Sequence, residues 1–388
     1  MFRRKAFLNE FCRVFKEKPT YLMDTGGRLE IVGNHTDHNH GLCLVANCSL
    51  RIYCAINKNP LKVRIKSKGY KYFEFPVDDL EHNPNENSTT LAIVKGVLFK
   101  LKEEGYKIGG FDAYIESEIP DGSGVSSSAA IESLFGYLVS YLYNDGKIPS
   151  VTIAKIGQFS ENVYFNKQCG MLDQIGTAFD SSNFIDFSNI KEPKVTTLPF
   201  NLPLSIFLVK SVGDHSNLTP LYNAIPSSMK AAAKLIDGSE VLMDVKVKDP
   251  YAAIDKIDLD DASKRKAKHF FNECANVLEA KKGIEENNVE LFLDAVRKSQ
   301  DSSNNNLENT YVRGEYEDSP QNIIDQVNEV LKDHGAVRIH GGGFKGTVII
   351  FVKNEFKEEF KEFLSKTYPK NRFFEVKIPE KAVHFETL

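Results

Sequence analysis

The stretch that most constrains this chain is PDGSGVSSSAAIESLFGYLVSYLY, residues 120–143. Its first part is turn-forming. Its remainder places Ala130, Leu134, Leu138 and Leu142 at spacings of four, the repeat of a helix face that packs on a core. A glycine-rich turn therefore runs directly into a buried helix. Gly122 and Gly124 allow the backbone to approach a ligand with no Cβ in the way. Ser126, Ser127 and Ser128 fall where the first turn of a helix leaves its N–H groups unpaired and its dipole is positive. Two uses fit this arrangement. One is ordinary capping, for which a single serine suffices. The other is an anion cradle, with hydroxyls as added donors and as an oxygen ligand for Mg²⁺. Three serines after two spaced glycines favour the phosphate. The pattern has neither the lysine of the Walker loop nor the spacing of the dinucleotide fingerprint.

Phosphoryl transfer needs further parts: an acidic ligand for Mg²⁺, a carboxylate facing the attacking hydroxyl, and a cation near the transferred group. Glu161 lies on a helical stretch twelve residues before Asp173, which sits in the apolar setting GMLDQ, and Arg28 precedes the loop GNHTDHNHG at 33–41. Each of these alone also reads as a salt-bridge or capping residue. The loop itself admits three readings. His35, Asp37, His38 and His40 are credible metal ligands by type. If extended, however, the loop would put His38 and His40 on one face and His35 and Asp37 on the other. The alternatives are a solvated turn or a polar binding loop.

At 388 residues the chain exceeds the size at which one core usually stops growing, which predicts two domains. The boundary is placed near residue 200, after the proline-bearing connection 191–203, giving domains 1–200 and 201–388. A formal net charge of −4 argues against nucleic acid or an anionic membrane as the main partner. The six cysteines form no C-x-x-C, which predicts reduced thiols in a cytoplasmic protein. The N-terminus has no secretory apolar run and no segment is long enough to span a bilayer. Phe2, Phe7, Phe11 and Phe15 predict an amphipathic first helix. Strands are expected at RLEIVG, CLVANCSLRIYCAI, KVRIKS, GFDAYIES, NFIDFS and LSIFLVKSV, and after the glycines of VRIHGGGFKGTVIIFV, with FFEVKI as the last strand. Residues 81–90 and 301–309 read as polar loops. Helices are expected at LAIVKGVLFKLKEEG, capped by Gly105, and near 151–166, 220–237, 263–282, 289–300 and 320–334, with a last one at EFKEEFKEFLSKTY.

Three motifs in order resemble those of the galactokinases, within the GHMP superfamily of small-molecule kinases. GRLEIVGNHTDHNHG is similar to the signature G-R-x-N-x-I-G-E-H-x-D-Y-x-x-G, PDGSGVSSSAA to P-x-G-x-G-L-S-S-S-A, and RIHGGGFKG to R-x-T-G-G-G-F-G-G. CGMLDQ resembles C-G-I-M-D-Q around the family's catalytic aspartate. The likeness covers nearly the whole chain. It implies an α+β fold of two domains with the active site in the cleft between them, the third motif lying in the second domain. It implies an ATP- and Mg²⁺-dependent sugar 1-kinase acting on galactose, with Asp173 and Arg28 catalytic. Asn34, His35, Asp37, Gly170, Asp173 and Tyr222 would contact the sugar. Gly122, Ser123, Gly124, Val125, Ser126, Ser127 and Ser128 would hold the ATP phosphates, Ser128 and Glu161 the Mg²⁺, and Gly341, Gly342 and Gly343 an active-site loop. A monomer is expected, with sugar and ATP as its partners.

The departures carry their own expectations. Asn34 stands where the signature has glutamate, and a neutral amide both donates and accepts. That makes galacturonate, or a sugar altered at C6, the alternative substrate. His38 replaces the signature tyrosine, His340 a threonine and Lys345 a glycine. The chain lacks the tryptophan that many relatives carry near the adenine, at about Thr90. A sugar-and-ATP sensor without turnover is the alternative from another class, and a metalloenzyme built on the histidine loop a third.

Overall fold

A computed structural model describes residues 2–212, 218–312 and 314–388. Helix α1 (Arg4–Phe15) forms as its phenylalanine spacing predicts: Phe7, Phe11 and Phe15 are buried with Leu22, Ala55 and Tyr114. Each such ring removed from water contributes about 1.5–3 kcal/mol. Phe2, ahead of the helix, stacks on Tyr53.

The next strands are β1 (Tyr21–Val32), β2 (Leu42–Asn59), β3 (Lys62–Ser67), β4 (Phe73–Pro76), β5 (Gly110–Ser117), β6 (Ser182–Asp186) and β7 (Lys194–Leu198). They share one sheet. A second sheet holds β8 (Leu204–Lys210), β9 (Gly335–His340), β10 (Thr347–Lys353) and β11 (Phe373–Val376), in the order β11-β8-β10-β9. The last strand, β12 (Val383–Thr387), returns to the first sheet and pairs antiparallel with β1. The path through the first sheet is β12-β1-β2-β5-β3-β4, with β6 on β2 and β7 on β6. Only β3 and β5 run parallel there among the described pairs, which requires a crossover. Helix α2 (Thr90–Glu103) lies in it. Gly105 ends that helix at φ +86°, as expected of a C-terminal glycine.

Helices α3 (Ser127–Tyr143), α4 (Ser150–Phe159) and α5 (Leu172–Ala178) pack with α2 on the first sheet. Leu134, Leu138, Ile153 and Ile175 join Ile31, Val45 and Ile115 in one core. Helix α6 (Thr219–Asp237), α7 (Pro250–Lys256) and α8 (Asp261–Glu285) share a second apolar cluster around Ile225, Ile254 and Phe270. Helix α9 (Val289–Ser302) joins the first core through Phe292 and Val296. Helices α10 (Pro320–Leu331) and α11 (Lys357–Thr367) cover the outer face of the second sheet through Ile324, Val327 and Phe360.

Several expectations are corrected. The first strand starts at Tyr21, not at Arg28. The connection 191–203 contains β7, whose five residues are hidden in the sequence between Pro193 and Pro199. FFEVKI is not the last strand, because the mostly exposed VHFET forms β12; an edge strand needs no continuous apolar run. The segment 301–309 is not simply a loop. Helix α9 runs to Ser302 and continues as a π turn, Ser303–Leu307. Helix α4 likewise ends in a π turn, Ser160–Tyr164, which carries Glu161. Such turns are rare and often mark functional sites. All six cysteines are unpaired. Among the described residues no helix is long and apolar enough to cross a membrane.

Candidate active site

The histidine loop is turned rather than extended. His35 and His40 have left-handed backbones, at φ 58° and 60°, and Asp37–Asn39 form one 3₁₀ turn. Thr36 pins it locally by donating from its hydroxyl to the Leu42 carbonyl at 2.6 Å. Helix α8 pins it from a distance. Oε1 of the buried Glu273 accepts the N–H groups of Gly33 and Asn34 at 2.8 and 2.9 Å and the Ser299 hydroxyl at 2.7 Å. One helical turn earlier, His269 donates from Nε2 to the Asn34 carbonyl at 2.8 Å. Burial works to raise the pKa of Glu273, but His269, Arg338 and its donors hold it below the usual carboxylate range.

The loop forms one wall of a cavity of about 220 Å³, below the range of drug-sized pockets and fit for a small polar molecule. Arg28, Asn34, His35, Asp37, Gly170 and Asp173 line it, as do Gly341 and Gly342 of the third motif. Tyr222 is not among the lining residues. Its ring lies behind Gly342, edge-on to Phe344, and its hydroxyl donates to the Gly343 carbonyl at 3.0 Å. Of the SNLTPLYN stretch around it, residues 216 and 217 lie outside the described residues. Gly170 is required by close approach: a Cβ there would stand 2.5 Å from Oδ2 of Asp37. His35 is committed to the third motif's turn through one ring nitrogen. Its Nε2 is bonded to the Gly342 carbonyl at 3.0 Å, and burial, with His38 nearby, lowers its pKa to about 4. Among the described residues no group of three or more His, Cys, Asp or Glu is placed to hold a metal ion.

Asp173 enters on the first turn of α5. Arg28, from β1, donates from Nε to its Oδ1 at 2.7 Å and from Nη1 to the Gly124 carbonyl at 2.6 Å. Ser126 donates to its Oδ2 at 2.6 Å. Burial works to raise the Asp173 pKa, but Arg28, Ser126 and Lys167 outweigh it and hold the carboxyl below its ordinary value. The glycine-rich loop is shaped for this contact, with strain only at Ser126. Gly122 and Gly124 have φ of 66° and 73°, and Ser126 has 56°, a left-handed conformation that costs a serine about 1–2 kcal/mol. Ser126 thus precedes α3 without capping it by its side chain, and the capping reading does not hold for this residue.

Residues 122–128 line a second cavity of about 290 Å³ whose other walls include Lys167 and Asp173. Those two residues border both cavities. Ser128 donates to Oε1 of Glu161 at 3.0 Å, and Lys167 pairs with the same oxygen at 2.7 Å. Gln174 bridges Oε2 of Glu161 and Oε2 of the buried Glu132, at 2.8 and 3.0 Å. Burial and the neighbouring Glu161 raise the Glu132 pKa well above normal. Beyond the serines a groove of about 580 Å³ runs past Thr90, Ile93, Ile119, Ile131 and Phe165.

The sequence reasoning missed Glu30, Lys167, His269, Glu273, Asn309 and Arg338. For Glu30 a signal was present: the signature carries asparagine at 30 and glutamate at 34, and this chain carries the two in reverse.

Residues 92–181 match the family described as GHMP kinases N terminal domain, and residues 9–58 match the galactokinase galactose-binding signature. The galactokinase of Ligilactobacillus salivarius is 27% identical over 378 residues, covering 94% of each chain. That of Mannheimia succiniciproducens is 28% identical over 364 residues, covering 89% of this chain and 88% of the relative. Among solved structures, Lactococcus lactis galactokinase complexed with galactose aligns at a TM-score of 0.81 and 22% identity, over 98% of this chain and 99% of that one. Methanococcus jannaschii mevalonate kinase aligns at 0.65 and 16%, over 92% and 98%. The fold is thus the one shared by these kinase structures, and residues 92–181 of this chain resemble the N-terminal domain of the GHMP kinases. The relatives named here, matched over nearly the whole length, are galactokinases, and residues 9–58 are similar to the galactokinase sugar signature.

Proposed function

We propose that this chain is an ATP-dependent sugar 1-kinase whose substrate is galactose, the sugar being phosphorylated by direct in-line transfer. One observation carries the reading: Asp173, clamped by Arg28 and Ser126, borders both the small polar cavity and the cavity of the glycine-rich loop. A hydroxyl in the first cavity would meet a phosphate held by the second at that carboxylate. Asp173 orients or deprotonates the anomeric hydroxyl, and its lowered pKa keeps it ionised at neutral pH. Arg28 offsets charge on the transferred group. Residues 122–128 receive the ATP phosphates at the start of α3. The groove beyond receives the adenine; Thr90 on its wall lies at about the position where many relatives carry tryptophan.

The residues present fit Mg²⁺. Ser128 and Glu161 offer adjacent hard oxygen donors, and Mg²⁺ commonly takes one or two carboxylates and completes its shell with phosphate and water. When bound there with ATP it neutralises phosphate charge. His35, Asp37 and Gly170 hold the sugar beside Asn34, with Tyr222 supporting the Gly341–Gly343 turn from behind. The second sheet opens at β8, which supports a division of the chain near residue 200, crossed by β12. Six unpaired cysteines support a reducing, cytoplasmic setting.

Coupled ADP release with Mg·ATP across galactose, galacturonate, N-acetylgalactosamine, arabinose and glucose tests the reading. Turnover that depends on galactose and is lost in Asp173→Asn supports a kinase; sugar binding without turnover would establish the sensor instead.

A further inference from the structure

The amide of Asn34 has no capacity left for a ligand. Its Nδ2 donates to Oε1 of Glu30 at 2.8 Å and to the Gly341 carbonyl at 2.7 Å. Its Oδ1 accepts from Nδ2 of Asn309 at 2.8 Å and from the Ser303 hydroxyl at 3.5 Å. The residue is fully buried. An amide with both hydrogens and its oxygen engaged would have to break a buried bond to greet a sugar.

Glu30 is the opposite case. It lines the same cavity. Its Oε1 is taken by Asn34 and by Nη2 of Arg338 at 3.2 Å, an ion pair with a side chain buried completely. Arg338 also donates to the Glu30 and Ile31 carbonyls, so the pair is fixed to the strand. The Glu30 N–H is held by Nε2 of His340, the residue that replaces the third motif's threonine. Among the described residues no donor reaches Oε2 of Glu30. A carboxylate anchored through one oxygen and open at the other is built to accept a hydroxyl.

We infer that Glu30, rather than Asn34, is the specificity-determining acceptor of the sugar site: its Oε2 receives a hydroxyl other than the one phosphorylated, and the site therefore rejects a sugar with a carboxylate at that position. Asn34 is a positioning residue that joins Glu30 to the Gly341 turn. The exchange of asparagine and glutamate between positions 30 and 34 thus moves the carboxylate four positions back along the chain, onto strand β1, and keeps it in the cavity. On this reading a neutral Asn34 gives galacturonate no advantage. Glu30 and Asp37 both present carboxylates to the cavity, while Arg28 is engaged by Asp173 and Lys167 by Glu161.

The inference rests on the sugar-kinase reading, and one set of rates separates the two. With unmodified protein and Mg·ATP, kcat/KM for galacturonate is expected at least about 100-fold below that for galactose. A smaller ratio overturns the inference and leaves the kinase reading standing. Turnover of no sugar overturns both. In Glu30→Gln, KM for galactose is expected to rise about tenfold or more, with kcat and the KM for ATP within about threefold, and the penalty against galacturonate to shrink about tenfold. An unchanged KM and an unchanged penalty in a folded variant would overturn it. Because this variant leaves Arg338 without its counter-charge, the comparison of the two sugars on unmodified protein decides the matter if the variant does not fold.

Discussion

The Ser126 hydroxyl donates to Oδ2 of Asp173 at 2.6 Å, so a serine at the mouth of a helix acts on a carboxylate 47 positions away instead of capping its own N–H groups. The contact couples the glycine-rich loop to the residue proposed as the base. Asp173→Asn is expected to lower kcat about 10²–10⁴-fold with little change in the KM for ATP. Ser126→Ala is expected to lower kcat about tenfold. It also removes one of the groups that hold the Asp173 pKa down, so the acid limb of the kcat/KM profile should move to higher pH. An unmoved limb in a pH–rate series would show that the two residues are not coupled.

Ser128 and Glu161 meet at 3.0 Å beside the cavity of the glycine-rich loop. Ser128→Ala and Glu161→Gln should each raise the Mg²⁺ concentration for half-maximal rate about tenfold or more. The KM for galactose should hardly move. A titration of rate against free Mg²⁺ at saturating ATP checks this, and an unaltered midpoint in both variants removes these residues from metal binding.

Glu273 is buried and holds two N–H groups of the sugar-loop backbone with one oxygen. Glu273→Ala strands those donors, and stranded buried groups cost about 1–3 kcal/mol each. A loss of roughly 3 kcal/mol is expected from urea unfolding. In protein still folded, the KM for sugar should rise several-fold while that for ATP stays. Equal effects on both would mean a general loosening, not a loop clamp.

His35 titrates near 4 in the folded chain and near its ordinary 6.5 once unfolded. Between those values the unfolded chain binds a proton that the folded chain refuses. Stability contributed by the neutral ring is therefore full above about pH 6.5 and falls as pH drops towards 4, by up to about 3 kcal/mol. Urea midpoints at pH 7.5 and 4.5 should lie closer together in His35→Gln than in the unmodified protein. An equal separation in the two would assign the acid sensitivity elsewhere.

What was legible in the sequence was local in origin. The four-residue spacing from Ala130 to Leu142, the phenylalanines of α1 and the glycine that ends α2 depend on neighbours within a turn or two, and each forms where its spacing predicts. The motifs also named most of the residues that line the polar cavity; Tyr222, named with them, stands outside its lining. Short strands such as β7 and β12 were not legible, because five residues at a sheet edge take their partners from elsewhere.

By itself, then, the sequence determined the helix faces, the glycine-rich entry to α3 and the set of reactive residue types. Which of those residues hold one another was decided by the tertiary structure alone. Arg28 reaches Asp173 across 145 positions, Glu273 reaches Gly33 across 240, and Asn309 occupies the Asn34 carbonyl oxygen across 275. No periodicity encodes such pairings. They exist because the two sheets and α8 close on one polar loop, and buried donors and acceptors must find partners there.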